Sequence, residues 1–115
     1  MIDFACKKFD LDEVIRCSLI LTKTEFNIIK YLIKNSESKF TAQKISKIFN
    51  IGLSTSQKAI KKIYSGGLVK RNQKNIQKGG YIFEYSIKEK LILKRKILEI
   101  IHIWMNKVEK EMQTW

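Results

Sequence analysis

Residues 41–86 read TAQKISKIFNIGLSTSQKAIKKIYSGGLVKRNQKNIQKGGYIFEYS, and this stretch decides the fold. Thr41 is suited to cap a helix, its hydroxyl accepting from a free first-turn N–H. Ala42, Ile45 and Ile48 or Phe49 follow at helical spacing. Asn50-Ile51-Gly52 breaks that helix, with Gly52 expected to take the left-handed backbone that a helix end needs. Ser54-Thr55-Ser56-Gln57 fits a capping box and predicts a second helix. Its apolar face is Ala59, Ile60 and Ile63, with Ser56 one turn earlier, and Gly66-Gly67 ends it. Two short helices around a tight turn form the pattern of a helix-turn-helix. Leu68–Asn72 and the aromatic-rich Tyr81–Ser86 then read as paired strands. Gly79-Gly80 between them supplies positive φ for a hairpin loop. The expected fold class is mainly α with a small β-wing, a winged helix-turn-helix.

Outside this stretch, Asp10-Leu11-Asp12-Glu13 offers a cap and an acidic first turn, favourable at the positive end of a helix dipole. A short helix over Leu11–Cys17 is expected, with Leu11, Val14, Ile15 and Ser18 on one face. Phe4 and Phe9 before it are available to pack on a partner chain or on the C-terminal helix, or simply to extend the core. Thr22-Lys23-Thr24-Glu25 is a second capping box, opening a helix to about Asn35. Phe26, Ile29, Leu32 and Ile33 are expected inward, with Ile28 and Tyr31 widening the stripe. Lys39-Phe40-Thr41 is expected to add a short strand beside the wing.

The run STSQKAIKKIYSGGLVKR, residues 54–71, resembles the recognition helix and wing of TrmB-type and, more loosely, of MarR- and ArsR-type transcriptional regulators. Cys17–Glu25 resembles the lead-in to the first domain helix of small archaeal TrmB-like proteins. The likeness runs over Val14–Ser86 and implies a DNA-binding domain with its second helix in the major groove. The large sugar-binding domain of full-length TrmB proteins has no counterpart here, so carbohydrate sensing is not expected.

Composition points the same way on its own. A chain of 115 residues is long enough for one domain with a modest core. Its formal charge of +12 calls for a polyanionic partner. The distribution says more than the total: residues 38–83 hold lysines and Arg71 throughout and not one Asp or Glu. An ordinary solvated surface mixes both signs. The sequence has no apolar run of the ~18 residues a membrane span needs. Met1-Ile2-Asp3-Phe4 lacks the basic start of a secretory signal, so a cytoplasmic, nucleoid-associated setting is expected. Cys6 and Cys17, with only His102 far away, make no zinc site. Each reads as a small buried hydrophobe rather than a redox switch. No metal or cofactor is expected. No paired acids or nucleophile–base set marks an enzyme.

The candidate reading surface follows from helix geometry. With Ala59, Ile60 and Ile63 inward, Thr55, Gln57, Lys58, Lys61 and Lys62 face outward. Gln57 and Lys61 lie one turn apart; Gln can bond adenine bidentately and Lys can reach guanine. Lys62 is assigned to phosphate. Thr41, Lys44 and Ser54 sit near helix N-termini, which suit a phosphate, although capping alone accounts for Thr41 and Ser54. Lys70, Arg71, Lys74 and Lys78 on the wing reach the backbone or minor groove; for Arg71 an ion pair with Glu84 stands as the equal alternative.

Ser86-Ile87-Lys88-Glu89 reads as another capping box, and nothing breaks the chain from there to Trp115. About 27 residues at ~1.5 Å each give a helix of about 40 Å. Ile97, Leu98, Ile101, Trp104, Met105, Val108 and Met112 form an apolar stripe, continued by Trp115, that a lone monomer would expose. A two-fold homodimer is the simplest closure, with His102 an interface histidine at the stripe's edge. The chain therefore divides into an N-terminal segment with a short helix (1–21), a DNA-binding domain (22–86) and a dimerisation helix (87–115). The expected partners are double-stranded DNA and a second copy, and no effector is legible. Sequence-specific regulation is the leading function. A sequence-tolerant architectural binder and a protein-interaction subunit are the alternatives.

Overall fold

A computed structural model describes residues 2–4 and 7–115, with side chains from Asp10 onward. The expectations for Cys6 and for the packing of Phe4 and Phe9 lie outside what is described. The described elements run β1 (Ile2–Phe4), β2 (Lys7–Phe9), α1 (Leu11–Ser18), α2 (Lys23–Lys34), α3 (Ala42–Ile48), α4 (Leu53–Ser65), β3 (Val69–Asn75), β4 (Tyr81–Ile87) and α5 (Lys90–Met112). They form two compact units: Thr22–Lys88, and the two chain ends up to Leu21 and from Glu89.

In the Thr22–Lys88 unit, α2 opens on a complete capping box. The Thr22 hydroxyl accepts from the Glu25 N–H at 3.1 Å, and the Thr22 N–H donates back to Glu25 Oε1 at 2.7 Å. The buried stripe of α2 is centred on Ile28, Ile29 and Leu32, while Ile33 is 46% exposed, contrary to the inward place expected for it. Ile33 lies one turn after the buried Ile29, next to the end of α2 at Lys34. Thr41 caps α3, accepting from the Lys44 N–H at 3.1 Å. Ile45 is fully buried and Ile48 exposed, so Phe49 is the residue that closes the stripe. Its ring meets Tyr31 edge-on at 5.7 Å, as Phe40 does at 5.4 Å.

The turn between α3 and α4 is built differently from its reading. Asn50 takes the left-handed conformation (φ 52°), a role its short polar side chain tolerates. Gly52 is extended and serves as N-cap of α4, with no side-chain cap hydrogen bond. Ser54 thus lies inside the first turn, and the expected capping box is absent. Ser56, Ala59, Ile60 and Ile63 are buried as the spacing predicts. The Ser56 hydroxyl donates to the Ala42 carbonyl at 2.6 Å, which satisfies a fully buried polar group and ties α4 to the start of α3.

β3 and β4 pair antiparallel from Val69↔Ile87 to Asn75↔Tyr81. Gly79 and Gly80 both have positive φ (96° and 84°) at the tip, where the Ile76 N–H donates to the Gly80 carbonyl. Phe40 joins the sheet base through two reciprocal hydrogen bonds with Tyr85, of 2.8 and 2.7 Å. Ile28, Leu32, Ile45, Ile60, Ile63 and Val69 make the core of this unit. With three helices and a two-stranded hairpin, it has the architecture of a winged helix-turn-helix.

In the second unit, β1 and β2 form a short antiparallel hairpin that the sequence pattern did not announce. α1 is capped by Asp10, whose carboxylate accepts from the Asp12 N–H at 3.0 Å, and it packs against α5. Cys17 is exposed and unbonded, so the reading as a buried hydrophobe is wrong for it: it falls on the outer side of a one-sided helix. Ile20 after α1 is left-handed (φ 55°), a conformation that costs a β-branched residue about 1–2 kcal/mol. α5 begins at Lys90, not at Ile87, because Ser86 and Ile87 belong to β4, and the Ser86–Glu89 capping box does not form. It ends at Met112, and its 23 residues span about 35 Å at ~1.5 Å per residue. Only Leu93 of α5 is buried.

Candidate nucleic-acid interface

Thr55, Gln57, Lys58 and Lys61 are all exposed on α4, opposite its buried face. Gln57 and Lys61, one turn apart, line a cleft of about 540 Å³ that opens between the first turns of α3 and α4 and the wing. Arg71, Tyr81 and Phe83 form its wing side, and Thr41 and Gln43 lie at the α3 end. No acidic residue lines it. Lys44 is exposed beside Thr41, and Ser54 is exposed on the first turn of α4. With no side chain capping α4, its first N–H groups are left to solvent or to an anion.

Lys62 stands apart from this group. Its ammonium lies 2.9 Å from Glu25 Oε1, whose side chain is only 9% exposed. Burial, the largest influence on the Glu25 carboxyl, raises its pKa. The Thr22 N–H, the Lys62 ammonium and the Thr22 hydroxyl together outweigh that and hold it below the ordinary carboxylate value. The positive charge of Lys62 is thus matched inside the domain. A phosphate contact from Lys62 would have to share the ammonium with this nearly buried carboxylate.

Arg71 does not pair with Glu84. Glu84 sits opposite Asn72 in the register, and successive residues of a strand face opposite sides, so Arg71 and Glu84 are on different faces of the hairpin. The Arg71 guanidinium instead lies between two rings, 4.2 Å from the centroid of Tyr64 and 4.2 Å from that of Phe83. Exposed cation–π pairs of this kind are worth about 0.5–1 kcal/mol each. Tyr64 belongs to the last turn of α4 and Phe83 to β4, so Arg71 joins α4 to the wing. Lys70 and Lys74 lie on the opposite hairpin face from Arg71, and Lys78 sits at the tip.

Charge-based reasoning passed over Tyr81 and Phe83, which line the cleft, and Tyr64, which flanks Arg71. For Tyr81 and Phe83 the signal was the alternation Tyr81, Phe83, Tyr85, which puts three rings on one side of β4. On α5, Ile97 is half-buried, and Leu98, Ile101, Trp104, Met105, Val108 and Met112 are exposed along the helix, as are His102 and Trp115. Among the described residues no helix is long and apolar enough to cross a membrane.

Comparison with known proteins places this geometry in company. The family model of the DnaD N-terminal domain matches residues 9–108. That is a different family from the TrmB-type regulators. A solved structure described as a possible transcriptional regulator from Methanosarcina mazei Go1 is 33% identical, covers 100% of this chain and 96% of its own, and superposes with a TM-score of 0.93. The uncharacterized proteins MJ1503 and MJ1082 of Methanocaldococcus jannaschii are similar in sequence. MJ1503 is 29% identical over 91% of this chain and 78% of its own length. MJ1082 is 30% identical over 90% of this chain and 84% of its own length.

Proposed function

The chain belongs to the DnaD N-terminal domain family, and from that premise we propose that it is a sequence-specific DNA-binding transcriptional regulator acting as a homodimer. The observation that carries the reading is the acid-free face formed by α4 and the wing. There Gln57, Lys58 and Lys61 stand exposed on a helix held rigidly from behind by Ser56, Ile60 and Ile63. Lysine–phosphate contacts from Lys44, Lys58, Lys70, Lys74 and Lys78 position the protein. Gln57 and Lys61, on the groove side of α4, specify the site. The likeness of 54–71 to TrmB-type recognition helices supports the same division of labour, as does the M. mazei relative described as a possible regulator. The apolar stripe of α5 serves the two-fold interface. The protein works by binding, not by catalysis, in the cytoplasm on nucleoid DNA.

Selection from random duplex DNA at ~150 mM salt tests this, because unspecific binding weakens steeply there. A recovered palindrome is expected. Retained DNA binding with no enriched sequence would favour the architectural reading, which the same charge supports. No DNA binding at all would leave a protein-interaction subunit.

A further inference from the structure

The cleft between α4 and the wing is more apolar than a duplex backbone needs. Leu53 and Ile60 form its floor and Tyr81 and Phe83 its wall, with Gln57, Lys61 and Arg71 as polar groups converging on it. Tyr81 is 56% exposed and meets Phe83 in a T-shaped pair, centroids 5.3 Å apart at 64°, so more than half of its surface is left to solvent. One ring contact of Phe83 is taken by Arg71, whose guanidinium is fixed at 4.2 Å. An exposed aromatic ring, a guanidinium held between two others, a lysine and an amide around about 540 Å³ fit a planar heterocycle carrying negative charge.

We propose that this cleft takes one unpaired nucleobase of a DNA strand. The base stacks on Tyr81, Gln57 and Lys61 bond its edge, and Arg71 meets its phosphates. A paired base offers only its edge to a groove; only an unpaired one presents a face to stack on. The proposal rests on the DNA-binding reading above, and it adds that a bulge or a single-strand junction is preferred to continuous duplex.

The test is a fluorescence titration with a duplex carrying one bulged 2-aminopurine, the same duplex fully paired, and free 2-aminopurine nucleotide. The expected result is quenching with the bulged duplex and binding roughly 5- to 100-fold tighter than to the paired one. Tyr81→Phe should keep both, and Tyr81→Leu should lose the quenching and the preference for the bulged duplex. Because Tyr81 is exposed, the leucine variant is expected to fold, and a circular dichroism melt checks that. Equal binding to bulged and paired duplex without quenching would overturn this proposal and leave the regulator reading standing. No binding to either duplex would overturn both. Quenching by the free nucleotide alone would make the cleft a small-molecule site and overturn the strand-binding proposal.

Discussion

Lys62 Nζ lies 2.9 Å from Glu25 Oε1, so the last outward lysine of α4 is bonded to the residue that closes the capping box of α2. Helix spacing alone groups Lys62 with Lys58 and Lys61 on the outer face. The pair predicts that Lys62→Met leaves the slope of log K against log salt for DNA binding unchanged. With Lys62 about half exposed, the fall in stability should stay within about 1 kcal/mol. A flatter salt dependence in that variant would return Lys62 to the phosphate-binding set.

The same carboxylate gives a pH signature. Its folded pKa is below the ordinary value of 4.5, so its contribution to stability is present above that value and is lost as the pH falls through the folded pKa. Glu25→Gln should melt lower than the wild type at neutral pH, and the gap should narrow as the solution is acidified. Thermal melts from about pH 7 to about pH 3 read this directly. A gap that stays constant with pH would mean that Glu25 acts through packing alone.

Neutralising Lys70, Lys74 and Lys78 should weaken binding to every DNA sequence alike. The salt slope should drop by ~0.9 for each phosphate that the variant no longer neutralises, counted twice in a dimer. An unchanged slope would take these side chains off the backbone.

Gln57→Ala should cost about 1–3 kcal/mol on the preferred site if its hydrogen bonding is bidentate, and little on random DNA. Ile60→Ala should act on folding instead, by ~2–5 kcal/mol for a buried isoleucine, and abolish both kinds of binding together. Equal weakening on both DNAs for Gln57→Ala, with an unchanged melt, would remove Gln57 from the reading surface.

Ile101→Glu with Trp104→Glu puts charge into the exposed stripe of α5 without touching a buried residue. Sedimentation equilibrium should then show a monomer with much weaker DNA binding. A dimer that survives the double substitution would move the interface elsewhere.

The sequence carried the winged architecture well, because its signals are local and repeated: Thr22 and Thr41 as caps, the inward quartet of α4, glycines at the hairpin tip. It misled where two residues compete for one role. Asn50 rather than Gly52 takes the left-handed position, since Asn tolerates it and Gly52 is then free to start α4 extended. Ser86 matched a capping pattern but was already paired with Lys70 in the sheet, and pairing across strands is not visible in a linear pattern. The Glu25–Lys62 bond and the place of Arg71 between Tyr64 and Phe83 join residues far apart in sequence, so spacing could not reveal them. Charge counting singled out the lysines of the candidate surface and overlooked the rings beside them.

The two hydrogen bonds between Phe40 and Tyr85 make the wing a beam clamped at one end. Beyond the level of Arg71 and Tyr85 the hairpin projects four residue steps to Asn75, about 13 Å at ~3.3 Å per residue, with no third strand beside it. A load applied at Lys78 therefore bends the free span and reaches α4 only as a torque at the clamp, which Arg71 between its rings resists. On the proposed DNA-binding reading, the tip would follow a groove that is wider or narrower from one site to the next, while α4 kept its seating. Amide exchange should record this stiffness as a gradient, slowest at Tyr85 and fastest at Gly79.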